Sequence, residues 1–89
     1  PVGRTNFMKW FLYILQCADG TYYTGVTTDM NRRLNEHNTS KRGAKYTKTR
    51  RPVKVVYLSG YNDRSSAQKA EYKFKQLTRK QKESIINER

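Results

Sequence analysis

Two β-rich runs held apart by a glycine turn constrain this chain more than any other feature. Trp10-Phe11-Leu12-Tyr13-Ile14-Leu15 is apolar, aromatic and branched, and Thr21 to Thr27 repeats that character after the turn signal Ala18-Asp19-Gly20. The pair predicts a β-hairpin, and the length of its loop decides what each face carries. A two-residue Asp-Gly loop would put Tyr13 and Tyr23 on opposite faces, whereas a three-residue loop with Gly20 left-handed puts them on the same one. We adopt the three-residue form, because Gly20 sits where a bulge needs positive φ. In that register Gly25 lies roughly opposite Tyr13 and leaves open space over its ring.

After the hairpin, Thr28 or Asp29 can cap a helix running to about Asn38, with Met30 and Leu34 as its core contacts. Thr39 to Pro52 has no apolar period and carries Lys41, Arg42, Gly43, Lys45, Lys48, Arg50 and Arg51, so it is expected to be a mobile basic loop. Val53 to Leu58 reads as a third strand between Pro52 and Gly60. A second helix starts near Asp63, where Ser65-x-x-Gln68 offers a capping box and Ala67, Ala70, Phe74 and Leu77 form one stripe. Thr78-x-x-Gln81 offers another box and predicts a break at Thr78 followed by a short last helix ending near Asn87. The order β-β-α-β-α-α gives a small α+β fold, a three-stranded and mainly antiparallel sheet flanked by helices.

No internal repeat or low-complexity linker interrupts Lys9 to Arg89, so residues 9–89 read as one domain. Residues 1–8 precede any pattern and are read as a disordered or vector-derived extension. A chain of 89 residues has no room for a catalytic domain plus a separate recognition domain, so selectivity must come from this one surface or from a protein partner. Nineteen Lys and Arg against seven Asp and Glu give a formal charge of +12, which favours a polyanion. Nucleic acid is the partner expected. Membrane insertion is not, because no stretch approaches the roughly 20 apolar residues of a spanning helix. The single cysteine, Cys17, leaves no intrachain disulfide and no thiolate zinc cluster, which fits a reducing cytoplasm.

On the first helix Met30, Arg33, Leu34 and His37 share one narrow angular sector, so an arginine and the only histidine sit on the apolar stripe. Two readings are open: the helix is rolled so that both snorkel at the rim, or the buried polar pair marks a site. Glu71 presents the same contradiction between Ala70 and Phe74, and it either pairs with Arg33 or Lys75 or serves as a metal ligand. Tyr13 and Tyr23 are either an aromatic cross-strand pair or part of that site.

Tyr23-Thr24-Gly25, Asp29, Arg33 and His37, preceded by Phe11-Leu12-Tyr13 and followed by Glu71, resemble the GIY-YIG nuclease superfamily. Within it the chain resembles the small, stand-alone bacterial members related to the excision-repair nuclease domain. The likeness spans Lys9 to Lys82, and its specificity lies in the ordered set: Arg33 eight residues after Gly25, His37 one turn later, a glutamate in a following helix. Two features depart from the pattern. The first triplet is Phe-Leu-Tyr instead of Gly-Ile-Tyr, and Asn87, the only late asparagine, is assigned no role.

The resemblance implies a metal-dependent endonuclease hydrolysing phosphodiester bonds, with DNA favoured over RNA and a place in repair or recombination. It implies catalytic roles for Tyr13, Tyr23, Arg33, His37 and Glu71, with Glu71 the sole protein ligand of one weakly held Mg²⁺ or Mn²⁺. Arg33 would clamp the scissile phosphate, a task its planar fork does better than lysine. Tyr13 is implied as general base or water-orienting group and Tyr23 as its partner, while His37 is the rival for proton transfer. Lys41, Arg42, Lys45, Tyr46, Lys48, Arg50 and Arg51 would bind nucleic acid, with Tyr46 stacking on an unpaired base. The other reading of the same sequence is a catalytically weak nucleic-acid-binding adaptor of the same fold.

Overall fold

A computed structural model describes residues 9–88, and the expectation for residues 1–8 lies outside the described residues. The hairpin forms as the turn chemistry dictates, with β1 (Trp10–Gln16) and β2 (Tyr22–Thr27) antiparallel and Tyr13 paired with Gly25. The Cys17 amide donates to the Thr21 carbonyl, and residues 18–20 form the three-residue loop with Gly20 at φ 86°. Tyr13 and Tyr23 therefore share a face. β3 (Lys54–Tyr61) pairs antiparallel with β1, giving the strand order β2-β1-β3. It runs longer than the Val53 to Leu58 expected, and a bulge shifts its register between Ile14 and Leu15.

Helices pack on both faces of the central strand β1, which explains why its apolar run does not alternate. Leu12, Tyr13, Ile14 and Leu15 are each at most 3% exposed. On the Tyr13 face, α1 (Met30–Thr39) sets Met30 and Leu34 against Tyr13, Leu15, Cys17 and Val53. On the other face, α3 (Arg64–Lys75) and α4 (Arg79–Asn87) cover Leu12 and Tyr57, and the Phe74 ring stacks on Tyr57 at 6.5 Å. Among the described residues no helix is long and apolar enough to cross a membrane.

The caps follow local chemistry with one change. Asp29 caps α1 by accepting from the Arg32 amide. Asp63 caps α3 by accepting from the Ser66 amide, so the box offered by Ser65 and Gln68 is not used; the earlier acid meets the free amides first. At α4 both halves of the Thr78/Gln81 capping box form. Thr78→Ala is expected to lower unfolding free energy by about 1 kcal/mol, read as a lower urea midpoint at unchanged slope.

The larger correction concerns residues 39–52. They are not a mobile loop: α2 (Lys45–Lys48) is a single helical turn, and Thr47 within it is fully buried. Arg51 fixes the segment from its far end. Its guanidinium donates to the carbonyls of His37 and of Ser40, the latter at 2.7 Å, and so satisfies acceptors left open at the end of α1. Asn38 adds a pair of bonds to the Val53 backbone, at 3.0 and 2.8 Å. Gly43 then packs on α1 so closely that a Cβ there would stand 2.6 Å from the Glu36 carbonyl oxygen.

Candidate active site

The Tyr13 ring starts on the central strand and passes over the outer one. A Cβ added at Gly25 would lie 2.5 Å from the Tyr13 hydroxyl oxygen and 2.7 Å from Cζ, so only glycine lets the phenol cross β2. The hydroxyl meets His37 Nε2 at 2.8 Å. His37 Nδ1 lies 2.9 Å from Thr47 Oγ1, whose hydroxyl donates to the Ala44 carbonyl. With the Thr47 proton committed there, Nδ1 carries the imidazole hydrogen and Nε2 accepts from Tyr13. The longer approach of the Ala44 amide to Nδ1, 3.4 Å, is the weaker alternative. Tyr13, His37 and Thr47 are all at most 1% exposed, so this relay is sealed within the protein.

Of the sector on α1, His37 is fully buried, while Met30, Arg33 and Leu34 are half-buried. Burial drives His37 down to about 4, helped by the Arg33 charge, so the imidazole is neutral at neutral pH. Burial pushes Tyr13 up to about 12, and the Arg33 guanidinium beside its hydroxyl opposes that rise, while the charges of Tyr23 and Glu71 add to it. The sign for stability follows. Between about pH 4 and 6.5 the unfolded chain holds the His37 proton more tightly than the folded one, so stability is complete above that window and falls as pH drops through it. Denaturant midpoints taken from pH 7 to 4 are expected to register a loss of about 3 kcal/mol from this group, and a flat profile would contradict the buried neutral imidazole.

An aromatic ladder leads from the relay to the surface. The Tyr23 ring lies 5.2 Å from His37 and 6.4 Å from Tyr13, and Tyr46 stacks on its outer side at 6.1 Å. The Arg50 guanidinium covers the Tyr46 ring at 3.9 Å and is tied to Asp19 at 3.1 Å. Lys41, Arg42, Lys45 and Lys48 are exposed and have no carboxylate partner among the described residues. Arg51 differs from these, because its guanidinium is turned inward onto α1.

Arg33 stands on α1 and Glu71 on α3, both close enough to act electrostatically on Tyr13, and each is already paired on its own helix. Arg33 donates to Glu36 at 2.9 Å and to the Arg42 carbonyl at 2.8 Å. Glu71 meets Lys75 at 3.1 Å, the structural partnering that was one of its two readings. Both keep an opening to solvent, with side chains 23% and 22% exposed. Beside Glu71, the residues Tyr22, Tyr23, Thr24, Tyr46, Lys75 and Lys82 line an open cleft of about 270 Å³ at the outer edge of β2. Lys75 and Thr47 had no signal in the sequence beyond ordinary surface character, since their partners are fixed only by packing.

Among the described residues no three His, Cys, Asp or Glu side chains gather at one point. A divalent ion at this site would thus rely on the Glu71 carboxylate, on water and on a substrate phosphate. That donor set suits a hard cation that keeps most of its hydration shell, with Lys75 as the charge it must displace.

Comparison with known proteins gives a consistent result. The family model of the GIY-YIG catalytic domain matches residues 9–84. The chain is 54% identical over 83 residues to a UPF0213 protein of Desulfotalea psychrophila, spanning 93% of this chain and 76% of that one. It is 53% identical over 78 residues to a UPF0213 protein of Streptococcus agalactiae, spanning 88% of each. Of solved structures, the solution NMR structure of a UPF0213 protein from Bacillus halodurans covers 90% of this chain and 84% of its own at 41% identity and a TM-score of 0.58. That of an E. faecalis protein covers 89% and 83% at 46% identity and a TM-score of 0.61.

Proposed function

This chain belongs to the GIY-YIG catalytic-domain family, a family of nucleases, and we propose from that premise that it is a metal-dependent endonuclease hydrolysing phosphodiester bonds, with DNA as the favoured substrate. The observation that carries the reading is the Tyr13 hydroxyl held on His37 Nε2 at 2.8 Å across the opening that Gly25 leaves, with the Arg33 charge near enough to favour its ionised form.

Each group has a task that its surroundings suit. A phosphate outcompetes Glu36 for Arg33, because the fork can grip two phosphate oxygens while Glu36 stays neutralised by Arg32 at 3.3 Å. Substrate binding must also open the Tyr13 hydroxyl, 1% exposed, to one water. The phenol is not ionised at neutral pH, so it acts as a relay: its oxygen accepts a proton from the attacking water while its own passes to the neutral His37 Nε2. The P–O bond to the leaving group breaks and its oxygen takes a proton from solvent, and His37 returns its proton through Tyr13 to solvent. Tyr23 walls the water in between Tyr13 and Tyr46. Glu71 would hold Mg²⁺ or Mn²⁺, and the ion when bound would neutralise charge building on the phosphate and its leaving oxygen. Lys41, Arg42, Lys45 and Lys48 supply backbone contacts and Tyr46 a stacking face, with Arg50 over the ring. We place this work in a reducing cytoplasm, in repair or recombination, with a protein partner adding the target specificity that one small surface lacks.

A second reading, a catalytically weak adaptor of the same fold, is favoured by one observation: Tyr13 is 1% exposed and both Arg33 and Glu71 are self-paired. Incubation with duplex, flap, branched and single-stranded DNA and with RNA separates the two. The enzyme is expected to cut at least one DNA substrate with Mg²⁺ or Mn²⁺ and to stop when the metal is chelated. Salt-sensitive binding across the whole panel with no metal-dependent cutting would leave only the adaptor.

A further inference from the structure

We propose that the Arg33 site continues along the outer edge of β2 into a second phosphate subsite, built by Arg32, Arg64 and Trp10, which holds a neighbouring phosphate of the same strand. This rests on the reading of Arg33 as the clamp of the scissile phosphate.

β2 is an edge strand, so no partner strand covers its outer side. An open cleft lies at each end of it. The one at Tyr22 to Thr24 holds Tyr46, Lys75 and Lys82. The one at Val26 to Thr28, about 300 Å³, is lined by Trp10, Arg32, Arg33, Glu36 and Arg64. Gly25, with the Tyr13 hydroxyl across it, stands between the two. Arg33 belongs both to the second cleft and to the surroundings of Tyr13, so it joins them.

The charge in the second cleft is not balanced. Glu36 is shared by Arg32 and Arg33, at 3.3 and 2.9 Å, and Arg32 also meets Asp29 at 3.9 Å, so two carboxylates stand against three guanidiniums. Arg64 has no carboxylate partner among the described residues and instead stands 5.4 Å over the Trp10 ring. Stacking of that kind orients a guanidinium while leaving its N–H fork free for the two non-bridging oxygens of a phosphate. Arg33 and Arg64 line this one cleft from α1 and α3, so a strand gripped at Arg33 passes directly over Arg64. With one phosphate at Arg33, the adjacent phosphate of the same strand is the group within the cleft that Arg64 can take.

The test measures binding in EDTA, so that it does not depend on cutting. Fluorescent oligonucleotides, single- and double-stranded, carry one methylphosphonate at each position in turn, and anisotropy is read for the unaltered chain, Arg64→Ala, Arg64→Lys and Arg33→Ala. Lys54→Ala, exposed on the opposite sheet edge, is the charge-matched control. Arg64→Ala is expected to weaken binding about 5- to 10-fold and to lower the slope of log affinity against log salt by about one. One methylphosphonate that weakens the unaltered chain should become silent in Arg64→Ala, and an adjacent one silent in Arg33→Ala. Arg64→Lys should keep the salt slope but recover only part of the affinity, and Lys54→Ala should silence no position. The subsite is overturned if every methylphosphonate effect is unchanged in Arg64→Ala, or if its salt slope matches that of the unaltered chain. A protein that shows the pattern but never cuts keeps the subsite and loses the nuclease reading. One that cuts while Arg64→Ala binds normally does the reverse, and absence of salt-sensitive binding removes both.

Discussion

Arg33→Ala is expected to slow metal-dependent cleavage by about 10³-fold while weakening nucleic-acid binding only a few-fold. The asymmetry has a physical source. Binding draws on many cations, of which Lys41, Arg42, Lys45 and Lys48 are exposed and without carboxylate partners among the described residues. Stabilising charge at phosphorus draws on the guanidinium next to Tyr13. Removing it also leaves Glu36 paired only with Arg32, so the local charge becomes less favourable to a phosphate. Arg33→Lys should rescue poorly, because an ammonium offers a point charge where two oxygens need a fork. Glu71→Ala should produce a loss of similar size that extra Mn²⁺ does not repair, again with binding retained. Single-turnover rates and anisotropy on the same substrate check both variants. An Arg33→Ala protein that cuts within tenfold of the unaltered rate would remove Arg33 from the chemistry.

Gly25→Ala is expected to damage both stability and activity, although it adds one methyl group at the edge of the sheet. That methyl would fall 2.5 Å from the Tyr13 oxygen, 2.7 Å from Cζ and 3.1 Å from Cε2. The ring has no room to yield: it is 1% exposed and its hydroxyl is held by His37. Either β2 moves outward or the phenol leaves the imidazole, and the cost should be about 2 to 3 kcal/mol. If the phenol moves, His37 Nε2 loses its partner in a buried setting, which adds to the penalty. Cleavage should fall by about 10²-fold, since a displacement of an ångström breaks the relay. Urea midpoints and cleavage rates for Gly25→Ala, for Tyr13→Phe and for the double variant Gly25→Ala/Tyr13→Phe test this. The double variant removes the 2.5 Å contact but keeps the Cζ one and leaves His37 Nε2 unpaired, so it should cost less than the sum of Gly25→Ala and Tyr13→Phe and recover none of the rate. A Gly25→Ala protein with an unchanged midpoint would show that Tyr13 does not lie across β2.

The sequence was most informative where the governing physics is short in range. The turn residue Gly20 set the hairpin loop, and with it the pairing of Tyr13 with Gly25. The helical period put His37 on the inward face of α1, and the Thr78/Gln81 box started α4 where it should. Residues 39–52 were misjudged because nothing in their own pattern anchors them. Their order comes from Arg51 on the end of α1, from Asn38 on Val53 and from Thr47 on His37, contacts that span 10 to 15 residues. Periodicity carries no trace of such partners. The same holds for Glu71, whose inward lean was legible but whose pairing with Lys75 instead of Arg33 was not.

Local rules of this kind, the alternation of strands, the period of helices and the φ demanded by a turn, were enough for the sequence alone to determine three strands, the long helices and the faces on which Tyr13, Tyr23 and the histidine would lie. Only the tertiary structure decided which buried polar atoms meet, that Nε2 of His37 faces Tyr13 and Nδ1 faces Thr47, and that Arg32 and Arg64 reach one cleft from different helices. The reason is that hydrogen bonds and ion pairs are settled by distances of a few ångströms between residues far apart in the chain, and those distances exist only once the sheet and helices have packed.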